Sequence, residues 1–212
     1  EAGICWGADT SDVNKNYKRG LDCLRSGHMR TAEYPQVYII LDGYSARVIR
    51  ELYTHIAGGP TRLQASTRYI KYGKFDYIIP NSIEKEEEAK RIYNNTMEVT
   101  SAGYKYLEEL GVPKEDIANI LPLGMETKII IRTNLRHLID MSHQRLCSRA
   151  YWEFRQLMID IMKALSEYSE EWATIIDKFF KPKCEVCGFC EEKNTCHHKP
   201  TKERIKQLIE LG

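Results

Sequence analysis

Residues 134–155 read NLRHLIDMSHQRLCSRAYWEFR, and this stretch contains two helical patterns in succession. Over 134–144, Leu135, Leu138 and Ile139 recur at helical spacing, which predicts a helix with one buried face. Over 149–165, apolar residues recur every three or four positions and predict the clearest helix of the chain. The buried stripe of this second helix comprises Ala150, Phe154, Leu157, Met158, Ile161 and Leu165.

Strands and further helices are predicted on both sides of this stretch. The segment 128–132 is a strand or another buried segment, and periodicity does not decide between them. Other β-branched or alternating segments predict extended structure over 36–41, 61–69 and 77–80. Apolar residues at helical spacing predict helices over 12–27, 47–55, 84–110 and 172–180. We therefore expect an α/β (α+β) fold, a mixed sheet with helices, over 1–180, followed by a cysteine-rich tail over 181–212.

The composition excludes several classes of partner. The 212 residues have a net charge of +1, without the basic excess that binding a nucleic-acid polymer requires. No apolar run approaches the roughly 18 residues that span a bilayer, so no membrane partner is expected. Four of the seven cysteines lie between Cys184 and Cys196, a crowding that indicates a reducing compartment and predicts a cytoplasmic protein.

The segment 61–69 alternates polar and apolar residues. In extended backbone, this pattern puts Arg62, Gln64, Ser66 and Arg68 on one face. Arginine forks and a hydroxyl suit a phosphate, and an amide suits the edge of a base. The alternative is an edge strand with a solvated polar face. For Asn134, Arg136 and Arg145, a solvated helix face is likewise the alternative to a binding role.

The stretch 134–155 resembles the C-terminal signature of flavin-dependent thymidylate synthases. That signature is Asn-x-Arg followed by Arg-Leu-Cys-x-x-Ala-x-Trp-Glu-(apolar)-Arg, and it is present from Asn134 to Arg155. Other matches lie outside this stretch, in the family's order, and the similarity runs from about Cys5 to Phe180. They are Gly27-His28, Glu33, the Gln-x-Ser-x-Arg-Tyr of residues 64–69, and Leu121-Pro122.

The resemblance implies the family fold, a homotetramer with sites shared between subunits, and an enzymatic activity. The expected reaction is reductive C5 methylation of dUMP to dTMP with FAD, NADPH and methylenetetrahydrofolate. Two alternatives remain: a related flavin enzyme that methylates another uracil nucleotide such as UMP, and a catalytically silent paralogue that binds nucleotides.

The resemblance also implies roles for individual residues. Arg145 matches the arginine at the uracil edge, where it would stabilise negative charge as C5 becomes nucleophilic. Ser66 and Arg68 match nucleotide phosphate contacts, and Gln64 matches another nucleotide contact. The expected cofactor-binding residues are Asn134, Arg136, His28, His55 and Asp140, the last on the helix face of Arg136.

Several anion-binding positions of the family are changed in this chain. The family's Arg-His-Arg aligns with Thr54, His55 and Ile56, followed by an apparent insertion at 58–60. Ala118 stands where the family has a phosphate-binding arginine, and Tyr34 replaces the histidine of a Glu-His pair. Each lost charge-assisted contact is expected to cost about 1.5–3 kcal/mol. Arg62 is the candidate replacement.

The tail contains Cys184-x2-Cys187-x2-Cys190-x5-Cys196, followed by His197 and His198. Four thiolates at this spacing predict a structural tetrahedral zinc site, with a histidine as a spare ligand. The Cys-x2-Cys-x2-Cys core also suits an iron–sulfur cluster. Reduced free thiols are the remaining alternative.

Overall fold

The computed structural model describes residues 2–57 and 59–210. The helices are α1 (Val13–Arg25), α2 (Ala46–Leu52), α3 (Asn81–Glu84), α4 (Glu87–Glu109), α5 (Lys114–Ile117), α6 (Leu135–Arg145), α7 (Trp152–Tyr168), α8 (Glu170–Phe179), α9 (Lys183–Cys187) and α10 (Lys202–Glu210). Short 3-10 helices cover Ala2–Trp6, Met29–Glu33 and Ala118–Ile120. The strands are β1 (Gln36–Ser45), β2 (Thr61–Gln64) and β3 (Glu126–Asn134). The predicted fold class, helices with a small sheet, is confirmed.

The chain forms two compact units, one of residues 1–37 and 133–212 and the other of residues 38–132. The first unit is helical. Its helix α6 packs on α7, α9 and the 3-10 helix Met29–Glu33, and α7 packs on α8. The boundary at residue 180 that the sequence suggests stays a prediction.

The core of the first unit follows the predicted helical stripes. On α6, Leu135, Leu138 and Ile139 are all at most 2% exposed, as their spacing predicts. The predicted α7 stripe is buried from Phe154 to Leu165, and Ala150 is partly exposed. These side chains fix α6 and α7 through apolar burial, which leaves their polar faces available for other contacts.

The second unit contains most of the three-stranded sheet, whose strand order is β1-β3-β2. Strands β2 and β3 are antiparallel, with Arg62 opposite Ile131 and Gln64 opposite Ile129. A separate core cluster of Tyr72, Tyr104, Ile117 and Met125 lies in the same unit.

Three local predictions are wrong. Extended backbone over 61–69 ends at Gln64, because the Ser66 carbonyl accepts hydrogen bonds from the backbone N–H groups of Tyr69 and Ile70 and closes a turn. The strand predicted over 77–80 is a single bridge between Tyr77 and Met125. On α4, Met97 and Tyr104 are buried as predicted, but Ile92 is 54% exposed.

Across residues 2–57 and 59–210, no helix has both the length and the apolar character needed to cross a membrane.

Candidate functional site

Asn134 begins helix α6. Its side-chain oxygen accepts a hydrogen bond from the backbone N–H of His137 at 2.8 Å, so Asn134 is the helix N-cap. The residue is 6% exposed. An N-cap of this kind satisfies one of the unpaired N–H groups of the first turn. Asn134 therefore sets where α6 begins and, with it, the positions of Arg136 and Asp140.

Arg136 lies in the first turn of α6 and is half-exposed. One of its guanidinium N–H groups donates to the Glu33 carboxylate, and its Nε lies 4.0 Å from the Asp140 carboxylate. Three predicted or matched residues, Glu33, Arg136 and Asp140, are thus brought together. His28 belongs to the same unit and is exposed, and its carbonyl accepts a hydrogen bond from Thr31 at 2.9 Å.

The neighbourhood of Arg136 fits an anionic cofactor. The Arg136 side chain is 44% exposed, and an anionic ligand can displace its carboxylate partners. The α6 N-terminus also favours negative charge. If FAD binds here, Arg136 would hold an anionic part of it, with Asn134 acting through the helix start.

Arg145 is the last residue of α6, and its guanidinium lies over the buried ring of Phe154, 4.3 Å from the ring centroid. Sequence analysis assigns Phe154 to the core alone. The structure gives the ring a second role, because an aromatic face attracts a cation that lies over it and restricts the orientation of that cation. The α6–α7 packing therefore helps to aim Arg145.

Arg62 is partly buried on β2, in the second unit. Its guanidinium donates to the carbonyls of Leu52, at 3.2 Å, and His55. It also lies over the ring of Tyr53, 4.9 Å from the centroid. Burial lowers the pKa of Arg62. Its Nε is buried and has no hydrogen-bond partner among the described residues.

These contacts make Arg62 a cap for the end of α2. The last carbonyls of a helix lack partners within the helix, and an arginine is a suitable donor to them. The expected anion-binding role of Arg62 would need the same guanidinium that caps α2. Gly58, within the apparent insertion, lies outside the described residues.

Gln64, Ser66 and Arg68 do not share one strand face. Gln64 is exposed on β2, whereas Ser66 and Arg68 belong to the turn that follows. The Ser66 hydroxyl accepts a hydrogen bond from the backbone N–H of Arg68 at 3.3 Å, and Arg68 Nε lies 3.0 Å from the Glu115 carboxylate. The turn therefore brings Ser66 and Arg68 close together. Arg68 is exposed, so a ligand could bind it by displacing Glu115.

Lys114 is a residue that the sequence reasoning misses. Its ammonium donates to the carbonyl of Tyr69 at 3.1 Å, beside the turn of Ser66 and Arg68. It stands four residues before Ala118, a spacing that puts two residues on the same side of a helical segment. This spacing relative to the altered position is the signal that could have found it.

The positions that align with the family's Arg-His-Arg provide no guanidinium. Thr54 donates its hydroxyl to the Glu51 carbonyl at 2.7 Å, and Ile56 is 74% exposed. His55 is 8% exposed, and its carbonyl is one of the two that Arg62 caps. The α2 end is thus held together by Arg62, without the two arginines of the motif.

The tail cysteines differ in their surroundings. Burial raises the pKa of the Cys184 thiol, as do the nearby thiols of Cys147, Cys190 and Cys196. Hydrogen bonds from the Ser148 hydroxyl and the His198 backbone N–H lower the pKa of Cys196. All seven cysteines are free.

The predicted metal site is not assembled in the described parts of the chain. There, no group of three His, Cys, Asp or Glu side chains is arranged to hold a metal ion. The Cys187 thiol donates to the Phe189 carbonyl at 3.1 Å, and His198 Nε2 lies 2.9 Å from the Glu185 carboxylate. The predicted zinc set of Cys184, Cys187, Cys190 and Cys196 stays a prediction.

Comparisons with known proteins decide the family. Residues 2–169 match the sequence model of the family described as thymidylate synthase complementing protein. The chain belongs to this family. It is 31% identical to the flavin-dependent thymidylate synthase of Pyrococcus horikoshii over 199 residues, which covers 88% of this chain and 79% of that protein.

Other flavin-dependent thymidylate synthases are similarly related. The protein from Pyrococcus furiosus is 30% identical over 87% of this chain and 75% of its own length. The one from Geobacter sulfurreducens is 30% identical over 65% of this chain and 59% of its own length. The match to the thymidylate synthase complementing family spans Asn134–Arg155 and the turn of Ser66 and Arg68, and it ends before the cysteine-rich tail.

Proposed function

We propose that this protein catalyses the reductive C5 methylation of dUMP to dTMP, with FAD, NADPH and methylenetetrahydrofolate. Family membership and the names of the relatives support a flavin-dependent thymidylate synthase. The observation that carries the proposal is the arrangement of α6, which starts at the Asn134 cap, presents Arg136 in its first turn and ends at Arg145 over Phe154.

Each residue would have a defined task. Arg145, restrained by the Phe154 ring, would hold the uracil edge and stabilise the negative charge that develops there. Ser66 and Arg68 would bind the phosphate, with Lys114 adding the positive charge that Ala118 does not supply. Gln64 would contact the nucleotide, while Arg136 and Asp140, with His28 and His55, would position the cofactors. FAD, when bound, supplies hydride transfer.

Helix geometry supports a site shared between copies of the chain, as the proposed homotetramer would have. Arg136 and Arg145 are nine residues apart, which is two and a half helical turns and about 14 Å along the axis. They therefore leave α6 on opposite faces. A flavin and a pyrimidine that react must touch, so sites that take Arg136 from one copy and Arg145 from another would reconcile the two roles.

The reaction is tested by incubating the reduced, reconstituted protein with methylenetetrahydrofolate, NADPH, FAD and either dUMP or UMP. We expect methylated dUMP, identified by mass spectrometry, and oxidation of NADPH in step with it. Product from UMP alone would identify the other nucleotide as substrate. Nucleotide binding without flavin binding or product would leave a silent paralogue.

The shared site is tested by mixing Arg136→Ala, impaired in flavin binding, with Arg145→Ala, impaired in turnover, at an FAD concentration too low to load Arg136→Ala and under conditions that allow subunit exchange. If each site takes the two arginines from different copies, random mixing restores about a quarter of the parent activity. No recovery, with exchange verified by a size tag, would place both arginines of a site in one chain. A cytoplasmic location stays a prediction.

A further inference from the structure

Four thiols from two parts of the sequence lie close together in the first unit. Cys184, on α9, interacts electrostatically with the thiols of Cys147, Cys190 and Cys196. Cys147 is not part of the tail, because it follows α6 in the turn before α7. The tail therefore folds back onto the segment that ends in Arg145.

Independent contacts keep the tail in this place. Helix α9 packs on α6, and the Cys196 thiol is hydrogen-bonded to the hydroxyl of Ser148, the neighbour of Cys147. The loop between Cys190 and Thr201 is closed by a parallel bridge and by a 2.8 Å hydrogen bond from the Cys190 N–H to the Pro200 carbonyl. Cys190 is 8% exposed.

Cys187 has different surroundings. Its thiol donates to the Phe189 carbonyl at 3.1 Å. It is not among the groups that act on Cys184, although only two residues separate them. Gly188, in the left-handed conformation at φ 82°, ends α9 directly after Cys187.

We propose that Cys147, Cys184, Cys190 and Cys196 together bind one zinc ion, and that Cys187 is not a ligand. Four thiolates are a complete tetrahedral set for structural zinc. This set has Cys147 in place of the Cys187 that the tail spacing predicts. The zinc ion would therefore link the tail to the α6–α7 turn.

The surroundings suit this role. The Ser148 hydroxyl and the His198 N–H donate to the Cys196 sulfur, as outer partners of metal ligands do. Arg155 donates to the Ser148 carbonyl at 3.2 Å, which places a cation beside a site with net negative charge. Closing the set requires side-chain rotations, since a change of χ1 rotamer moves a sulfur atom by about 3 Å. Zinc binding would supply the free energy for this closure.

The test compares two serine variants of the full chain, Cys147→Ser and the matched control Cys187→Ser. Each is prepared reduced with zinc and desalted, and its zinc content is measured by elemental analysis. We expect one zinc per chain in the parent and in Cys187→Ser. Cys147→Ser should retain well below one zinc per chain after desalting, because loss of a ligand weakens binding by more than the about 10- to 100-fold that removal of an outer partner costs. Circular dichroism checks that each variant is folded.

A second measurement uses the parent protein alone and needs no variant to fold. Iodoacetamide followed by peptide mass spectrometry should alkylate Cys187 with or without zinc, but Cys147 only after zinc is removed by a chelator. Zinc protection of Cys187 with free alkylation of Cys147 would overturn the proposal in favour of a set within the tail. A parent protein without metal, or with iron in place of zinc, would overturn it too. None of these outcomes depends on methylation activity.

Discussion

Arg136 in the first unit and Arg62 in the second both donate to oxygen atoms, but the oxygens differ in kind. Arg136 is half-exposed and faces the carboxylates of Glu33 and Asp140. Arg62 is partly buried and donates to the backbone carbonyls of Leu52 and His55. A carboxylate side chain can turn away when a ligand arrives, whereas the carbonyls at a helix end are fixed by the helix.

This difference separates two uses of the same side chain. An exposed guanidinium with exchangeable partners is suited to binding an anion, because its own ion pairs contribute little and are easily replaced. A guanidinium that donates to backbone carbonyls at a helix end contributes to stability, and its removal takes those hydrogen bonds away. We therefore expect ligand-binding effects from the arginines of α6 and a folding effect from Arg62.

The largest effect is expected for Arg145→Ala. Loss of one preorganised donor to developing charge typically costs about 2.7–4 kcal/mol in the barrier, a factor of about 100 to 1,000 in kcat. Arg145→Lys should recover little, because lysine lacks the planar fork. The measurement is dUMP methylation rate, with thermal unfolding alongside. The matched control is Lys163→Ala on α7, whose exposed side chain is paired with Glu167. Parent-like turnover in Arg145→Ala would remove the central residue of the proposal.

Arg62→Ala should destabilise the protein by about 1.5–3 kcal/mol, the usual contribution of hydrogen bonds to a charged group. Nucleotide affinity of the folded variant should stay close to the parent value. Denaturant unfolding and nucleotide titration measure the two quantities separately. Arg132→Ala is the control, since this exposed arginine on β3 donates only to the Thr61 hydroxyl among the described residues. An unchanged unfolding free energy with a large loss of nucleotide affinity would restore Arg62 as the replacement anion binder.

Arg136→Ala should weaken flavin binding by about 10- to 100-fold, as expected for one charge-assisted contact. The unfolding free energy should change by no more than about 1 kcal/mol, because the ion pairs with Glu33 and Asp140 are exposed. Fluorescence titration of FAD measures the first and denaturant unfolding the second. A stability loss as large as that of Arg62→Ala would mean that Arg136 also serves the folded structure and is not reserved for an anionic ligand.

The helical half of the fold is readable from the sequence because its signals are local. The stripe Phe154–Leu165 repeats over about three turns, the shorter stripe Leu135–Ile139 covers little more than one, and Asn134 is a preferred N-cap residue. The conformation of the segment from Ser66 to Arg68 is harder to predict. Its polar and apolar residues alternate as in a strand, but the Ser66 hydroxyl accepts a hydrogen bond from the Arg68 N–H and favours a turn.

The same distinction holds for the candidate site. Motif resemblance selects Glu33, Arg136 and Arg145, but it gives neither the ion pair between Glu33 and Arg136 nor the Phe154 ring under Arg145. The use of Arg62 depends on where α2 ends, ten residues away. The position of Cys147 beside the tail depends on the packing of α8 on α7 and of α9 on α6. Contacts between residues distant in sequence leave no periodic signal in a single chain.

The smallest effect, and the sharpest test of how the second unit binds anions, is expected for Lys114→Ala. The Lys114 ammonium sits at the Tyr69 carbonyl, beside Ser66 and Arg68, where it would add one positive charge toward a phosphate. Because the side chain is solvated, we expect only about 0.2–1 kcal/mol, a loss of up to about fivefold in nucleotide affinity.

Salt dependence and a matched control distinguish a phosphate contact from a general change of charge. Lys105→Ala removes an equally positive residue, exposed on α4 and paired with Glu109. Its nucleotide affinity should match the parent at every ionic strength, whereas the Lys114→Ala deficit should shrink as salt screens the phosphate. Replacing dUMP by deoxyuridine should abolish the difference between Lys114→Ala and the parent. If the deficit persists with the nucleoside, Lys114 acts by bracing the Ser66–Arg68 turn, and the charge lost at Ala118 has no replacement at this position.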